Sequence, residues 1–152
     1  AADAYHLTGT HPEGGGVYLG MLAALDDAGL QPSDIDYLNA HATSTHAGDN
    51  SELIAARRVF GTGKGFHISA TKSMTGHLLG AAGAIESIAA VKSVQENKIP
   101  PTINVQKVEP EFDGLFDLTL DRAVEKQINH AMNNTFGFGG HIATTIFKKY
   151  SQ

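Results

Sequence analysis

From Leu78 to Gln95 the chain carries a helical pattern that is apolar almost all round, with Ala81, Ala82, Ala84, Ile85, Ile88, Ala89, Val91 and Val94. A helix of that kind is predicted to be fully buried, which requires packed layers on its sides. Glu86 stands inside it. A lone carboxylate there is costly, so a buried partner is expected, with Lys72 and His77 the nearest candidates.

The remaining pattern predicts an alternation of helices and strands. Val17, Met21, Leu22, Leu25 and Ala28 share one helical face, stopped by Gly29, while Glu13 to Gly16 is too glycine-rich to be the interior of an element. A short strand is expected over Ile35–Ala40, then a helix over Asn50–Phe60 with Leu53, Ile54 and Val59 inward, and a second strand over Phe66–Ala70. Pro100 and Pro101 make residues 98–112 a surface connection. Leu115–Leu120 reads as an edge strand, and the segments near 130–134 and 142–148 as an antiparallel pair around Phe136-Gly137-Phe138-Gly139-Gly140. The order implies a layered α/β domain with helices on both faces of the sheet.

Composition narrows the chemistry. The 152 residues carry a net charge of -5, and the 11 Lys and Arg are scattered, so a nucleic-acid footprint is not expected. No apolar run reaches the ~18–20 residues of a membrane span, and no signal peptide is evident at the start. The expected address is cytosol, or the stroma or matrix of an organelle. There is no Cys, so any thiol nucleophile must come from another chain.

Polar residues concentrate in three loops: Asn39 to Thr45 after the first strand, Thr71 to His77 after the second, and the turn at 136–140. In open α/β sheets, ligands gather beyond the carboxyl ends of parallel strands, where the first two loops lie. Ordinary caps and turns account for many such Ser and Thr residues. The histidines and Lys72 change the balance, because neutral imidazoles at a crevice mouth can donate to a developing oxyanion. Two other patterns fail. Gly61-Thr62-Gly63-Lys64-Gly65 lacks the Ser or Thr and the helix of a phosphate loop, and His41, His46, His67 and His77 lack zinc-site spacing, so no metal is expected.

Taken together, the segments Asn39–Thr45, Thr71–Gly83, Pro100-Pro101-Thr102-Ile103-Asn104 and Phe136–His141 resemble the β-ketoacyl-[acyl carrier protein] synthases, and the similarity runs from Asp3 through nearly the whole chain. The resemblance implies a thiolase-like α/β fold with a mixed sheet, of which residues 1–152 are the C-terminal half of a five-layered α-β-α-β-α arrangement. It implies decarboxylative condensation of malonyl carrier protein with an acyl-enzyme thioester formed on a Cys of the other half.

By motif, His41 and His77 would hold the malonyl thioester carbonyl. Lys72 would support them with Glu86 as its partner, and Phe138 would be the gate whose backbone N–H completes an oxyanion hole. Thr43 and Thr45 would bind the phosphopantetheine arm, and Phe136 and Gly139 would line the substrate site. No cofactor is implied beyond that arm. The implied partners are acyl carrier protein, the Cys-bearing half and a second copy of the complete enzyme; neither nucleic acid nor membrane is among them.

Two departures stand out. Ala42 occupies a position where Gly is common, and Ile142 one where Asn is usual, which puts the hydrogen bonding of that turn in question. The family's central strand just upstream of Asp3 is not in the chain, so raw sheet edges and poor stability of the isolated polypeptide are expected. The rival reading is a non-catalytic partner of the chain-length-factor kind. A thiolase-type degradative enzyme is disfavoured because it needs a Cys in this half.

Overall fold

The computed structural model describes residues 1–150. Apolar spacing and glycine placement set its elements. Helix α1 (Gly15–Ala28) ends at Gly29 in the left-handed conformation, and α2 (His46–Phe60) ends at Gly61. Between and after them come β1 (Tyr37–Asn39), β2 (His67–Ser69) and a one-turn helix α3 (Lys72–Thr75). Helix α4 spans Ala82–Glu96 behind a 3-10 turn at Leu79–Ala81. The rest is strand: β3 (Lys98–Ile99), β4 (Asp117–Leu118), β5 (Val124–Glu125), β6 (His130–Gly137) and β7 (His141–Lys148).

Five strands form one mixed sheet in the order β4-β2-β1-β6-β7. β1 runs parallel to β2 and β6, β2 parallel to β4, and β6 and β7 form the expected antiparallel hairpin. Helices cover both faces. Val17, Met21 and Leu25 of α1 and Ala55, Ala56 and Val59 of α2 pack with Leu38, Ile68 and Met132 on one side, while Ala90 and Val94 of α4 pack with Tyr37, Ile99, Ile128 and Ala131 on the other. At about 25 cal/mol per Å² of apolar surface, these two cores are the main stabilising force.

Several expectations need correction. Gly15 and Gly16 lie inside α1 rather than before it, because the helix approaches β7 and the N-terminal segment too closely for side chains: a Cβ on Gly16 would come within 2.7 Å of both Asp3 Cβ and Ile142 Cδ1. In α2 the buried positions are Ser51, Glu52, Ala55, Ala56 and Val59, with Leu53 and Ile54 only half-buried at the flank. Small residues let α2 lie close to its neighbours, and that shifted the inward face.

Helix α4 is not fully buried in this chain. Ala82, Glu86, Ala90, Ser93 and Val94 face inward, whereas Ile88 is 58% and Leu79 77% exposed, and Leu78 and Ile85 are also open. Residues 98–112 are more than a surface connection. Lys98 and Ile99 form a two-stranded antiparallel sheet with Glu125 and Val124, and Ile99 and Phe112 are buried. Ile142 is a core residue against Gly16 and Gly20, and its backbone exchanges hydrogen bonds with Ala1 at 2.9 and 3.1 Å. The side chain at 142 is thus used for core packing rather than for hydrogen bonding at the turn.

Candidate active site

The carboxyl ends of β1, β2 and β6 converge, and each delivers one of the three loops singled out above. His41 follows β1, Lys72 follows β2, and Phe136 and Phe138 end the β6 side of the hairpin. His41 and His77 meet edge to face, ring centroids 5.4 Å apart at 88°. The Phe136 ring packs against His41 with centroids 4.8 Å apart. Among the described residues, no three His, Asp or Glu side chains converge as metal ligands; His46 instead neighbours Glu109 and His67 sits beside Thr119 and Asp117.

Both imidazoles accept a backbone N–H at Nδ1, His41 inside the fold and His77 at the exposed surface. His41 Nδ1 accepts the Phe136 N–H at 3.3 Å, and His77 Nδ1 accepts the Leu79 N–H at 3.3 Å. An Nδ1 that accepts leaves the proton on Nε2, so each ring carries an Nε2–H donor. Leu78, with ψ at 16°, turns the Leu79 N–H back toward His77, and Leu79 itself is left-handed at φ +53°. The His41 ring is held neutral: burial, and then the nearby Lys72 and His77, lower its pKa from 6.5 to about 3.

Glu86 has the buried partner that its position required. It forms an ion pair with Lys72, and both side chains are almost wholly buried. Burial raises the Glu86 carboxyl above the usual carboxylate range, and the Lys72 hydrogen bond and charge oppose the rise without cancelling it. Beneath the pair, Asn39 donates to Thr71 Oγ1 at 3.2 Å and accepts the Thr71 N–H at 3.3 Å. The Pro100–Asn104 segment braces the same loop, with Ala70 N–H on Thr102 Oγ1 at 2.8 Å and Ile103 N–H on Ser73 Oγ at 3.0 Å. The stiff, extended backbone of the proline segment thus clamps the start of α3, which carries Lys72.

The other candidates occupy the rim. Thr43 and Thr45 hydroxyls lie 3.3 Å apart at the exposed start of α2. Phe138 is 77% exposed at the hairpin tip, and the Gly139 N–H is donated to Leu7 O at 2.7 Å. Asp3 N–H is donated to Gly140 O at 2.8 Å, so the first residues of the chain brace the turn. The glycine loop 61–65 has its Gly61, Gly63 and Gly65 N–H groups already donated to Arg57 O, Leu115 O and Asp117 Oδ2, which leaves no phosphate cradle.

One group escaped sequence reasoning. Glu52 is buried under the His41 loop, where its two oxygens accept the N–H groups of His41 and Ala42, each at 2.9 Å, and the side-chain amide of Asn134 at 2.9 Å. Burial raises its pKa, and these donors oppose the rise. Its signal was present, since Glu52 shares a helical face with Ala55, Ala56 and Val59. Ala42 pays for this arrangement with φ at +26°, the conformation that a Gly there would adopt freely.

The chain matches the family described as beta-ketoacyl synthase, C-terminal domain, over residues 1–106. It is 48% identical over 149 residues to 3-oxoacyl-[acyl-carrier-protein] synthase 2 of Staphylococcus aureus (strain COL), covering 97% of this chain and 36% of that protein. The chain thus spans about a third of the length of the curated relatives it matches.

Among solved structures, an ishigamide ketosynthase/chain length factor superposes with a TM-score of 0.91 at 38% identity, over 99% of this chain and 36% of that one. A type II polyketide ketosynthase in complex with its acyl-carrier protein and bound to the hexaketide gives 0.93 at 33% identity, over 99% and 37%. The α/β fold with its mixed sheet is that of the thiolase-like ketosynthases. With its two histidines, its lysine and its Gly-Phe-Gly-Gly turn assembled at one sheet end, the chain belongs to the β-ketoacyl synthase family, through that family's C-terminal domain.

Proposed function

We propose that this chain supplies the decarboxylating half of a 3-oxoacyl-[acyl carrier protein] synthase, working in fatty acid elongation with a Cys-bearing half. The observation that carries the reading is the pair of crossed imidazoles, each with Nδ1 occupied by a backbone N–H and Nε2–H left to donate. Loss of CO₂ from a malonyl thioester builds negative charge on the thioester oxygen, and two preorganised donors stabilise that charge. The resulting enolate carbon attacks the acyl thioester carbonyl held on the partner's sulfur. A carbon–carbon bond forms, the thiolate leaves, and a 3-oxoacyl chain remains on the carrier.

In this reading burial keeps His41 neutral as a donor, and Lys72, paired with Glu86, adds a positive charge beside it that acts the same way. The Phe138 N–H would face the second oxyanion, and the Phe138 ring would gate the acyl tunnel on its glycine hinges. Thr43 and Thr45 would hydrogen-bond the phosphopantetheine arm, while Phe136 and Gly139 shape the adjoining wall. No further cofactor is called for. The open face of α4, with Ile85 and Ile88, and the exposed Leu79 of the turn before it fit burial against the Cys-bearing half. Acyl carrier protein would be the substrate carrier, a reading supported by the neighbour structure in complex with its acyl-carrier protein, and the complete enzyme would pair with a second copy. No helix among the described residues is long and apolar enough to cross a membrane, and the cytoplasm or an organelle stroma suits the activity.

Retention of both donor rings and the buried ion pair favours catalysis over a chain-length-factor role, which needs none of them. The test is to assemble the chain with a Cys-bearing half, supply acyl and malonyl carrier protein, and follow CO₂ and 3-oxoacyl product. Product formation lost in His77→Ala supports the reading. Equal rates in wild type and variant support the non-catalytic partner.

A further inference from the structure

The Glu52 carboxylate holds the His41 backbone only as well as it is itself held, and its third donor comes from Asn134. That side chain is fully buried. Because a carboxylate only accepts, the amide nitrogen must face Glu52, and Oδ1 must point the other way and find a donor. Thr144 supplies it, with Oγ1 donating to Asn134 Oδ1 at 2.8 Å. The two residues are direct cross-strand partners in the β6–β7 hairpin. Helix α1 leaves room for the hydroxyl: a Cβ on Gly20 would stand 3.3 Å from Thr144 Oγ1 and 2.7 Å from Ile142 Cγ2.

A single relay therefore runs across four elements, from Thr144 on β7 through Asn134 on β6 and Glu52 on α2 to the backbone of His41 beyond β1. We propose that Thr144 is a positioning residue for the decarboxylation: its hydroxyl fixes the orientation of the Asn134 amide, and so fixes the Glu52 carboxylate that holds His41 in place. The inference rests on the reading of His41 as a donor to substrate. Without the hydroxyl, Asn134 Oδ1 is left buried and unpaired, and rotating the amide to satisfy it would turn an oxygen lone pair toward Glu52. Either outcome loosens the His41 loop without changing any side chain of the His41, His77 and Lys72 cluster.

The experiment uses the complete enzyme with Thr144→Val, which keeps the branched shape suited to a strand, and Thr144→Ser, which keeps the hydroxyl. Thr144→Val is expected to lower kcat for CO₂ release about 10-fold with KM for the malonyl thioester unchanged, the scale of one buried hydrogen bond. Thr144→Ser is expected to retain kcat within about twofold, because the donor remains. In ¹⁵N-His-labelled protein, the His41 ring nitrogen resonances should change in Thr144→Val and match wild type in Thr144→Ser.

Wild-type kcat in the valine variant, equal impairment of both variants, or an unchanged His41 spectrum in Thr144→Val each overturns the proposal. If the wild-type enzyme releases no CO₂, the functional reading fails, and the His41 spectra alone decide the relay from Thr144.

Discussion

The Glu52 carboxylate and the His41 main chain are joined at 2.9 Å, so the buried imidazole that meets His77 is anchored from a helix on the far side of its own loop. Glu52→Gln replaces one acceptor oxygen by a donor that opposes a backbone N–H. The expected cost is about 1.5–3 kcal/mol of stability, the range for a lost charge-assisted hydrogen bond in the interior. Denaturant unfolding of wild-type and variant enzyme checks it, and an unchanged midpoint would mean that the loop is held by other contacts.

Lys72 and Glu86 are both nearly inaccessible, so removing one strands the other's charge. Lys72→Met is expected to destabilise the enzyme by about 3–5 kcal/mol. Adding Glu86→Leu should recover most of that stability, because the pair is then replaced by apolar groups, and should leave decarboxylation lost. Thermal melts and CO₂ release on the single and double variants separate the two effects. Recovery of activity in the double variant would show that the ion pair serves only the fold.

Ala42 occupies a left-handed backbone conformation at φ +26°. Ala42→Gly relieves that strain while making the unfolded chain more flexible. Strain dominates at positive φ, and the expected gain is about 0.5–1 kcal/mol. A higher melting temperature for the glycine variant is the check.

His41 has a ring pKa of about 3 in the folded chain against 6.5 for the ordinary group. The unfolded state takes up the proton first, so folding stability is unaffected by this ring above pH 6.5 and declines as the pH falls from there toward 3. The limiting slope is about 1.4 kcal/mol per pH unit. His41→Gln removes this contribution, so the stability difference between variant and wild type should shift in the variant's favour on acidification and stay level above pH 6.5. A difference that is flat throughout would mean that the ring stays accessible to protons.

Much of this site was legible because its chemistry sits in compact loops at strand ends. Asn39–Thr45 and Thr71–His77 lie where the sequence placed them, and Glu86 announced its partner by standing charged in an apolar helix. What escaped was set by packing across the sequence. Gly16 belongs to a helix because Ile142, far along the chain, needs its missing side chain. Glu52 shares the inward helical face of Ala55, Ala56 and Val59, but what it holds there is decided by β6 and the His41 loop, which close over it. The tautomers of both rings depend on backbone N–H groups whose directions no residue pattern specifies. The exposure of α4 likewise follows from which elements cover it and not from its own composition.

The most direct measurement is the rate of CO₂ release from malonyl carrier protein by the complete enzyme carrying His41→Ala or His77→Ala. If both Nε2–H groups converge on one developing oxyanion, each substitution lowers the rate about 10²–10³-fold. A rate that survives either substitution at the wild-type level would contradict the account.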